Sequence, residues 1–180
     1  VNGLVQLWEL NGDPIDLAHL CLSLGADVPV CQSGQAAFMS GIGEQITPAP
    51  KLPPAWLVLV NPGVGLSTPA VFEALRGETF SSPGQFEQSP ATAVELADIL
   101  GTRTNDLTDA AISLQPVIGD VLRALQGVDS VLLARMSGSG ATCFGLFNDE
   151  DDAARAAAEL GRTFPQWWVR AAALLSETAT

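Results

Sequence analysis

The sequence contains no tyrosine, one histidine and only eight lysine and arginine residues among 180. Twenty aspartate and glutamate residues outnumber these cations and give a formal net charge of −12. This balance argues against binding to nucleic acid or to anionic membrane surfaces, because both require clustered positive charge. It also suits phosphate ligands poorly, unless backbone N–H groups or cations from outside this chain hold them.

Long apolar runs and paired cysteines are missing as well. No stretch of about 18 apolar residues occurs and no signal peptide is visible, so we expect no membrane-spanning segment. The three cysteines, Cys21, Cys31 and Cys143, are odd in number and lack the spacing of metal ligands. We therefore expect buried thiols and a cytoplasmic, reducing location. The single histidine, His19, has no suitably spaced carboxylate or nucleophile, which favours a surface position over a catalytic one.

The remaining composition, 47% hydrophobic and 16% charged, can bury a core in one domain or two small ones. A proline-rich connector at 48–54 is the candidate boundary, so we predict domains at 1–50 and 51–180. The chain starts at Val1 in an apolar pattern already in progress. We therefore expect it to begin inside an element, as a fragment would.

Periodicity and turn residues predict the order of the elements. Before the connector we expect the end of a helix at 4–10, a helix begun by Asp13 and Pro14 and ended by Gly25, and two strands at 36–39 and 44–47. After it we expect a strand at 55–60, a helix that starts at Pro69 and has Val71, Phe72 and Leu75 on its packed face, and a loop at 76–90. These are followed by a helix at 91–100, a long helix kinked or split at Pro116, two strands within 131–147, a helix after 152 and a strand at 167–174. This order predicts an α+β fold with helices on one face of a mostly antiparallel sheet.

The segment 135–147 has the pattern strand, small-residue turn, strand. Glycines in such a turn can adopt positive φ, and its N–H groups can form an anion-binding nest. An ordinary tight hairpin is the alternative. The turn is not a Walker A loop, because no Gly-Lys-Ser/Thr follows, and Cys143 stands where a dinucleotide fingerprint needs a third small residue. The residues of the turn are Ser137, Gly138, Ser139, Gly140 and Ala141.

Asp27 is a lone carboxylate in an otherwise apolar or small segment. Pro29 is expected to make Val28 extended. Partly desolvated surroundings would raise the pKa of Asp27 and allow it to act as a base. A capping or turn aspartate is the alternative.

Two other patterns invite a functional interpretation. The acidic run at 149–152 could hold a metal, but it directly precedes an alanine-rich helix, where negative charge offsets the helix dipole. Trp167 and Trp168 could stack a base, but one in the core and one at the edge is the favoured interpretation.

Several short blocks occur in a characteristic order. They are Leu-Gly-Ala-Asp-Val-Pro at 24–29, Ala-Ala-Phe at 36–38 with Gly-Ile-Gly-Glu at 41–44, Pro-Gly at 62–63 with Ser-Thr-Pro at 67–69 and Phe72, Asn-Asp-Leu at 105–107, and Met-Ser-Gly-Ser-Gly-Ala at 136–141. Each block is weak alone, but in this order they span nearly the whole chain. In them the chain resembles the 4-diphosphocytidyl-2-C-methyl-D-erythritol kinase family of the GHMP kinase superfamily.

The resemblance implies a fold, a reaction and a set of site residues. The fold would be the end of the GHMP N-terminal lobe followed by a ferredoxin-like C-terminal domain. The reaction would be ATP-dependent phosphorylation of the 2-hydroxyl of a cytidine-diphosphate-linked methylerythritol, in non-mevalonate isoprenoid biosynthesis. Asp27 would take the hydroxyl proton, Thr68 and Pro69 would form the substrate-side loop, and Phe72 would stack on the cytosine. The glycine turn would lie beside the phosphates.

The resemblance also implies ATP with Mg²⁺ as its counter-ion, no protein-bound metal, a small-molecule substrate, and a monomer or homodimer. The family's Lys partner of the catalytic Asp and its Gly/Ser-rich ATP loop do not occur in this sequence. We therefore expect the C-terminal part of a longer kinase, which by itself binds ATP poorly and turns over nothing measurable. The alternatives are another GHMP kinase, of the homoserine, mevalonate or galactose type, and a non-catalytic ferredoxin-like binding or oligomerisation module.

Overall fold

The computed structural model describes residues 7, 17–25, 27–41, 45–75, 77, 80–82 and 84–175. Its elements, in chain order, are α1 Leu17–Leu24, α2 Val28–Ser33, β1 Ala37–Ser40, β2 Gln45–Pro48, β3 Trp56–Asn61, α3 Thr68–Ala74, α4 Ala93–Gly101, α5 Thr108–Leu114, α6 Val117–Gln126, β4 Leu133–Met136, β5 Cys143–Phe147, α7 Glu150–Thr163 and β6 Trp168–Ala173. The predicted helix end at 4–10 (apart from residue 7), the cap at 13–14 and the junction at 42–44 lie outside the described residues. None of the described helices is long and apolar enough to cross a membrane.

The chain divides into two compact units. The first comprises Val1–Leu52, Gln85–Ser89 and Leu175–Thr180, and the second comprises Pro53–Gly84 and Pro90–Leu174. In the first unit β1 and β2 form an antiparallel hairpin, which agrees with the two strands predicted at 36–39 and 44–47. Phe38 of this hairpin meets Phe86 edge to face, with ring centroids 5.3 Å apart.

The segment around Asp27 differs from its prediction. Val28 is the first residue of a short helix that Asp27 precedes, whereas the sequence predicted extended backbone there. Proline disfavours helical backbone in the residue before it, but at the second helical position its missing N–H costs no hydrogen bond. Gly34 ends this helix in the left-handed conformation, with φ of 62°.

The second unit is built on a four-stranded antiparallel sheet with the order β4-β5-β3-β6. The first strand of the unit, β3, lies between β5 and β6, so the chain leaves the centre of the sheet, forms the β4–β5 hairpin on one side and returns through α7 to the other. Val58 marks the centre, opposite Gly145 on one side and Ala171 on the other. This is the ferredoxin-like, α+β arrangement that the sequence predicted.

One face of this sheet carries the main core. Alternate residues of the strands face α5, α6 and α7, as the two-residue period of a strand requires. The largest fully buried side chains of this cluster are Phe147, Ile118, Leu125 and Met136. The glycine turn begins directly after Met136, so the core holds the start of the turn in place.

Helix α4 lies over the opposite face, near β4 and β5. Arg135 points to that face, and its guanidinium donates to the carbonyl oxygens of Leu100 and Arg103 at 2.9 and 2.7 Å. Leu96 and Leu146 are buried there, outside the main cluster. The prediction that all helices share one face is therefore wrong for α4, because periodicity shows which side of a helix is buried but not which sheet face it covers.

Three local predictions are confirmed. Pro116 separates α5 from α6, because a proline cannot donate within a helix. The acidic run begins α7, where the Asp149 side chain accepts a hydrogen bond from the Asp152 N–H at 3.0 Å. Trp167 is buried and stacks on Phe164, while Trp168 is 48% exposed on the edge strand.

The cap of α7 yields a stability prediction. Replacing Asp149 with alanine removes the acceptor for the Asp152 N–H and should lower the free energy of unfolding by about 1 kcal/mol. Asp151→Ala removes the same charge from the same helix turn but no capping bond, so it should lower the free energy of unfolding by only a few tenths of a kcal/mol. Urea denaturation of both variants measures the difference, and equal losses would show that charge, not the cap, matters here.

Candidate functional site

The turn between β4 and β5 has the positive-φ glycines that its sequence predicted. Gly138 has φ of 54° and Gly140 has φ of 87°. Inside the turn the Ser137 N–H donates to the Thr142 carbonyl oxygen and the Gly140 N–H to the Ser137 carbonyl oxygen, each at 2.9 Å. Within the part of the chain that the structure describes, the N–H groups of Gly138, Ser139 and Ala141 make no hydrogen bond. The turn therefore offers unpaired backbone donors, as an anion-binding nest does.

An asparagine side chain holds the first half of the turn. The Asn105 Nδ2 donates to the carbonyl oxygens of Met136 at 3.0 Å and Gly138 at 2.8 Å. Its Oδ1 accepts the Leu107 N–H at 3.0 Å, which fixes the amide orientation. Sequence analysis placed Asn105 in a family block without a role. A clue was its position just before a helix, where asparagine commonly bonds to nearby backbone.

A second asparagine, Asn61, holds the other half and was missed. Its Nδ2 donates to the Thr142 hydroxyl at 2.9 Å, and its Oδ1 accepts the Gly63 N–H at 2.8 Å. Asn61 ends β3, the strand beside β5, which explains how it reaches Thr142. A polar amide at the end of an apolar strand was the available signal, but the segment was interpreted only as a strand end.

Two predicted site segments meet at a pair of hydroxyls. Thr68, the first residue of α3, lies with its Oγ1 2.7 Å from the Oγ of Ser139, although 71 residues separate them. Ser67 occupies the cap position of α3 and Pro69 its second helical position. The substrate-side loop and the glycine turn of the sequence analysis are therefore neighbours in this unit.

Phe72 lies one helical turn after Thr68, on the same side of α3. Sequence analysis placed it with Val71 and Leu75 on the packed face, but Phe72 is 50% exposed while Val71 is fully buried. The correction follows from the helix geometry, because adjacent residues of a helix point about 100° apart. An exposed aromatic ring one helical turn from Thr68 is available to a flat ligand.

A cavity of about 740 Å³ in the second unit is lined in part by Asn105, Asp106 and Arg135. Hydrogen bonds from the backbone N–H and the hydroxyl of Ser81 lower the pKa of the Asp106 carboxyl. Burial lowers the pKa of the Arg135 guanidinium, and the nearby charge of Arg103 lowers it further. Polar groups of both signs thus line the space beside the residue that holds the turn.

Asp27 is exposed, and its side chain makes no capping bond to α2. The expected desolvated surroundings are therefore not found around it in the described residues. It belongs to the first unit, whereas the turn, Thr68 and Phe72 belong to the second. Its expected role as a base stays a prediction.

The remaining candidate residues have simpler surroundings. His19 is exposed, consistent with the surface position expected for it. Cys21 and Cys143 are buried free thiols, and burial raises the pKa of Cys143 to about 12. Cys31 is exposed, so the expectation of buried thiols is wrong there. Among the described residues, no group of three or more His, Cys, Asp and Glu is arranged to hold a metal ion.

Comparison with known proteins gives the family. The model of the C-terminal domain of GHMP kinases matches residues 88–166, which include α4 to α7 and the glycine turn. Together with the ferredoxin-like sheet and the turn, this match and the relatives below show that the chain belongs to the GHMP kinase superfamily.

Two curated relatives that match nearly the whole of this chain have the same name. The chain is 51% identical to the 4-diphosphocytidyl-2-C-methyl-D-erythritol kinase of Paramagnetospirillum magneticum over 98% of this chain and 61% of that protein. It is 48% identical to the enzyme of the same name from Rhodospirillum rubrum, over 99% of this chain and 59% of that protein. The chain thus spans about 60% of the length of these relatives.

Two solved structures also resemble this chain. A crystal structure of 4-(cytidine 5'-diphospho)-2C-methyl-D-erythritol kinase superposes with a TM-score of 0.73 at 33% identity, covering 93% of this chain and 61% of that one. The homoserine kinase of Cytophaga hutchinsonii matches with a TM-score of 0.62 at 16% identity, covering 84% of this chain and 52% of its own. The second likeness is one of fold alone.

The two turn glycines should respond differently to alanine. A Cβ on Gly140 would lie 2.9 Å from the Met136 sulfur and 3.2 Å from Leu66, whereas a Cβ on Gly138 meets nothing within 4 Å. Backbone strain alone costs about 1–2 kcal/mol, so Gly138→Ala should lose about that much stability. Overpacking adds about 1–3 kcal/mol, so Gly140→Ala should lose about 2–5 kcal/mol. Urea midpoints of the two variants measure both losses. Equal losses would contradict the close packing of Met136 and Leu66 around Gly140.

Proposed function

We propose that this chain is part of an enzyme that phosphorylates the 2-hydroxyl of 4-diphosphocytidyl-2-C-methyl-D-erythritol with ATP, a step of non-mevalonate isoprenoid biosynthesis. The observation that carries the proposal is the contact between Thr68 and Ser139, because it joins the proposed substrate side to the proposed phosphate side. Identity near 50% to enzymes of that name, over nearly the whole of this chain, supports the substrate.

The glycine turn suits a phosphate in a chain with few cations. Its unpaired N–H groups supply partial positive charge without lysine or arginine, which accounts for phosphate binding despite the net charge of −12. ATP is the proposed donor, with Mg²⁺ as its counter-ion. We assign no described residue of this chain to the metal, since no suitable group of ligands occurs among them.

Asp27 is the proposed base. Phosphoryl transfer forms a bond from the substrate oxygen to the γ-phosphorus and breaks the bond to the β–γ bridging oxygen, so ADP leaves. The hydroxyl proton must be removed, and a carboxylate positioned against the hydroxyl can accept it. Asp27 matches the catalytic aspartate of the family block at 24–29, and its exposed side chain is accessible to a ligand.

The catalytic role is tested by Asp27→Asn, which keeps the shape and removes the base. In this chain completed with the upstream segment of the Paramagnetospirillum magneticum relative, the variant should lose at least about 100-fold in kcat, as a missing general base does. Product formation from ATP and the cytidylyl substrate is the measurement. Asp98→Asn, at an exposed position of α4, is the matched control and should retain activity.

The outcomes separate the hypotheses. Near-normal activity of Asp27→Asn would support the kinase function but reject Asp27 as its base. A folded but inert completed protein would favour the non-catalytic ferredoxin-like module. Phosphorylation of homoserine, mevalonate or galactose in preference to the cytidylyl substrate would favour another GHMP kinase.

Phe72 should contribute to substrate binding, not to stability. Phe72→Leu removes a flat ring that is 50% exposed, so the KM for the cytidylyl substrate should rise about 5- to 150-fold, the range that loss of base stacking gives. The kcat and the urea midpoint should change little. Phe80→Leu, which alters another exposed phenylalanine, is the control, and an equal rise in KM for both variants would reject specific stacking.

A further inference from the structure

The block at 105–107 has no function in the scheme above, yet its asparagine side chain donates two hydrogen bonds to the start of the turn. From these bonds we infer that Asn105 is a positioning residue that orients the Ser139 N–H toward the open side of the glycine turn. The inference deepens the proposed function, because that N–H is one of the donors proposed for phosphate.

The argument begins with the peptide between Gly138 and Ser139. In a trans peptide the C=O and the N–H point in opposite directions. The Gly138 carbonyl oxygen is held 2.8 Å from the Asn105 Nδ2. The Ser139 N–H must therefore point away from Asn105, and it makes no hydrogen bond within the described part of the chain.

The same reasoning applies one peptide earlier. The Met136 carbonyl oxygen also accepts from the Asn105 Nδ2, at 3.0 Å, and on the other side of that peptide the Ser137 N–H donates to the Thr142 carbonyl oxygen across the hairpin. One amide group thus sets two peptide planes. The first closes the hairpin and the second leaves a donor unpaired.

Glycine makes such a restraint necessary. Gly138 has no Cβ to restrict its backbone, and nothing lies within 4 Å of where a Cβ would be. The peptide after it can therefore rotate at little steric cost. Donors that stabilise developing charge are effective when they are oriented in advance, so an unrestrained peptide here would weaken phosphate binding.

The orientation can be measured without any ligand. Residual dipolar couplings of the backbone N–H groups report bond directions in solution. In Asn105→Leu the coupling of Ser139 should change markedly, while those of β3 residues such as Val58 should stay as in the parent chain. Asn105→Asp keeps the side-chain shape but cannot donate when ionised, so it should show the same change if the leucine variant fails to fold. An unchanged Ser139 coupling in a folded variant would overturn the inference.

The consequence for catalysis is tested in the completed enzyme. Asn105→Asp should raise the KM for ATP about 10-fold or more, as the loss of a hydrogen bond to a charged group does. The KM for the cytidylyl substrate should change little, because the donors of the turn are proposed for the phosphates of ATP. Asn148→Asp is the matched control, since it makes the same change at an exposed position just after the far end of β5. It should leave both KM values close to those of the parent.

The two experiments fail independently. An inert completed parent would reject the proposed function, while the dipolar couplings would still decide the role of Asn105. Altered couplings with an unchanged KM for ATP would overturn the positioning role, because the turn would then move without consequence for phosphate.

Discussion

The arrangement of the second unit around the turn depends on the missing side chain at Gly140. The Met136 sulfur lies 2.9 Å from where its Cβ would be, with Leu66 at 3.2 Å and Ile118 at 3.5 Å. These neighbours come from the end of β4, the loop before α3 and helix α6. A close approach of this kind is open only to glycine. It allows α3 to approach the turn closely enough for Thr68 to reach Ser139.

Around this packed point, amides and hydroxyls hold the turn instead of ion pairs. Asn105 and Asn61 each engage with both ends of the side-chain amide. A neutral amide costs less to desolvate than a charge, so it can be half-buried without an ionic partner. An amide in place of a carboxylate also adds no negative charge beside the turn, which matters in a chain with 20 acidic residues. A carboxylate there would repel the phosphate that we propose for this turn.

Local chemistry made most of the fold predictable. The split at Pro116, the acidic start of α7 and the buried strand β3 each follow from one short pattern that tertiary contacts did not override. The helix at Val28 was mispredicted because the rule for residues before proline is weaker at a helix start. The position of α4 and the exposure of Cys31 and Phe72 depend on what packs against a face, and a single sequence does not contain that information.

The candidate site shows the same distinction between local patterns and tertiary contacts. The turn residues and Thr68 could be named from the sequence, because glycine spacing and the family blocks are local. The contact that joins them spans 71 residues and rests on two hydroxyls, which are common side chains without a distinctive pattern. The amides of Asn61 and Asn105 are equally inconspicuous in the sequence. Asn61 ends a strand and Asn105 precedes a helix, as many asparagines do. Their importance comes from where β3 ends and α5 begins relative to the β4–β5 turn, so only the assembled sheet reveals which asparagines hold the site.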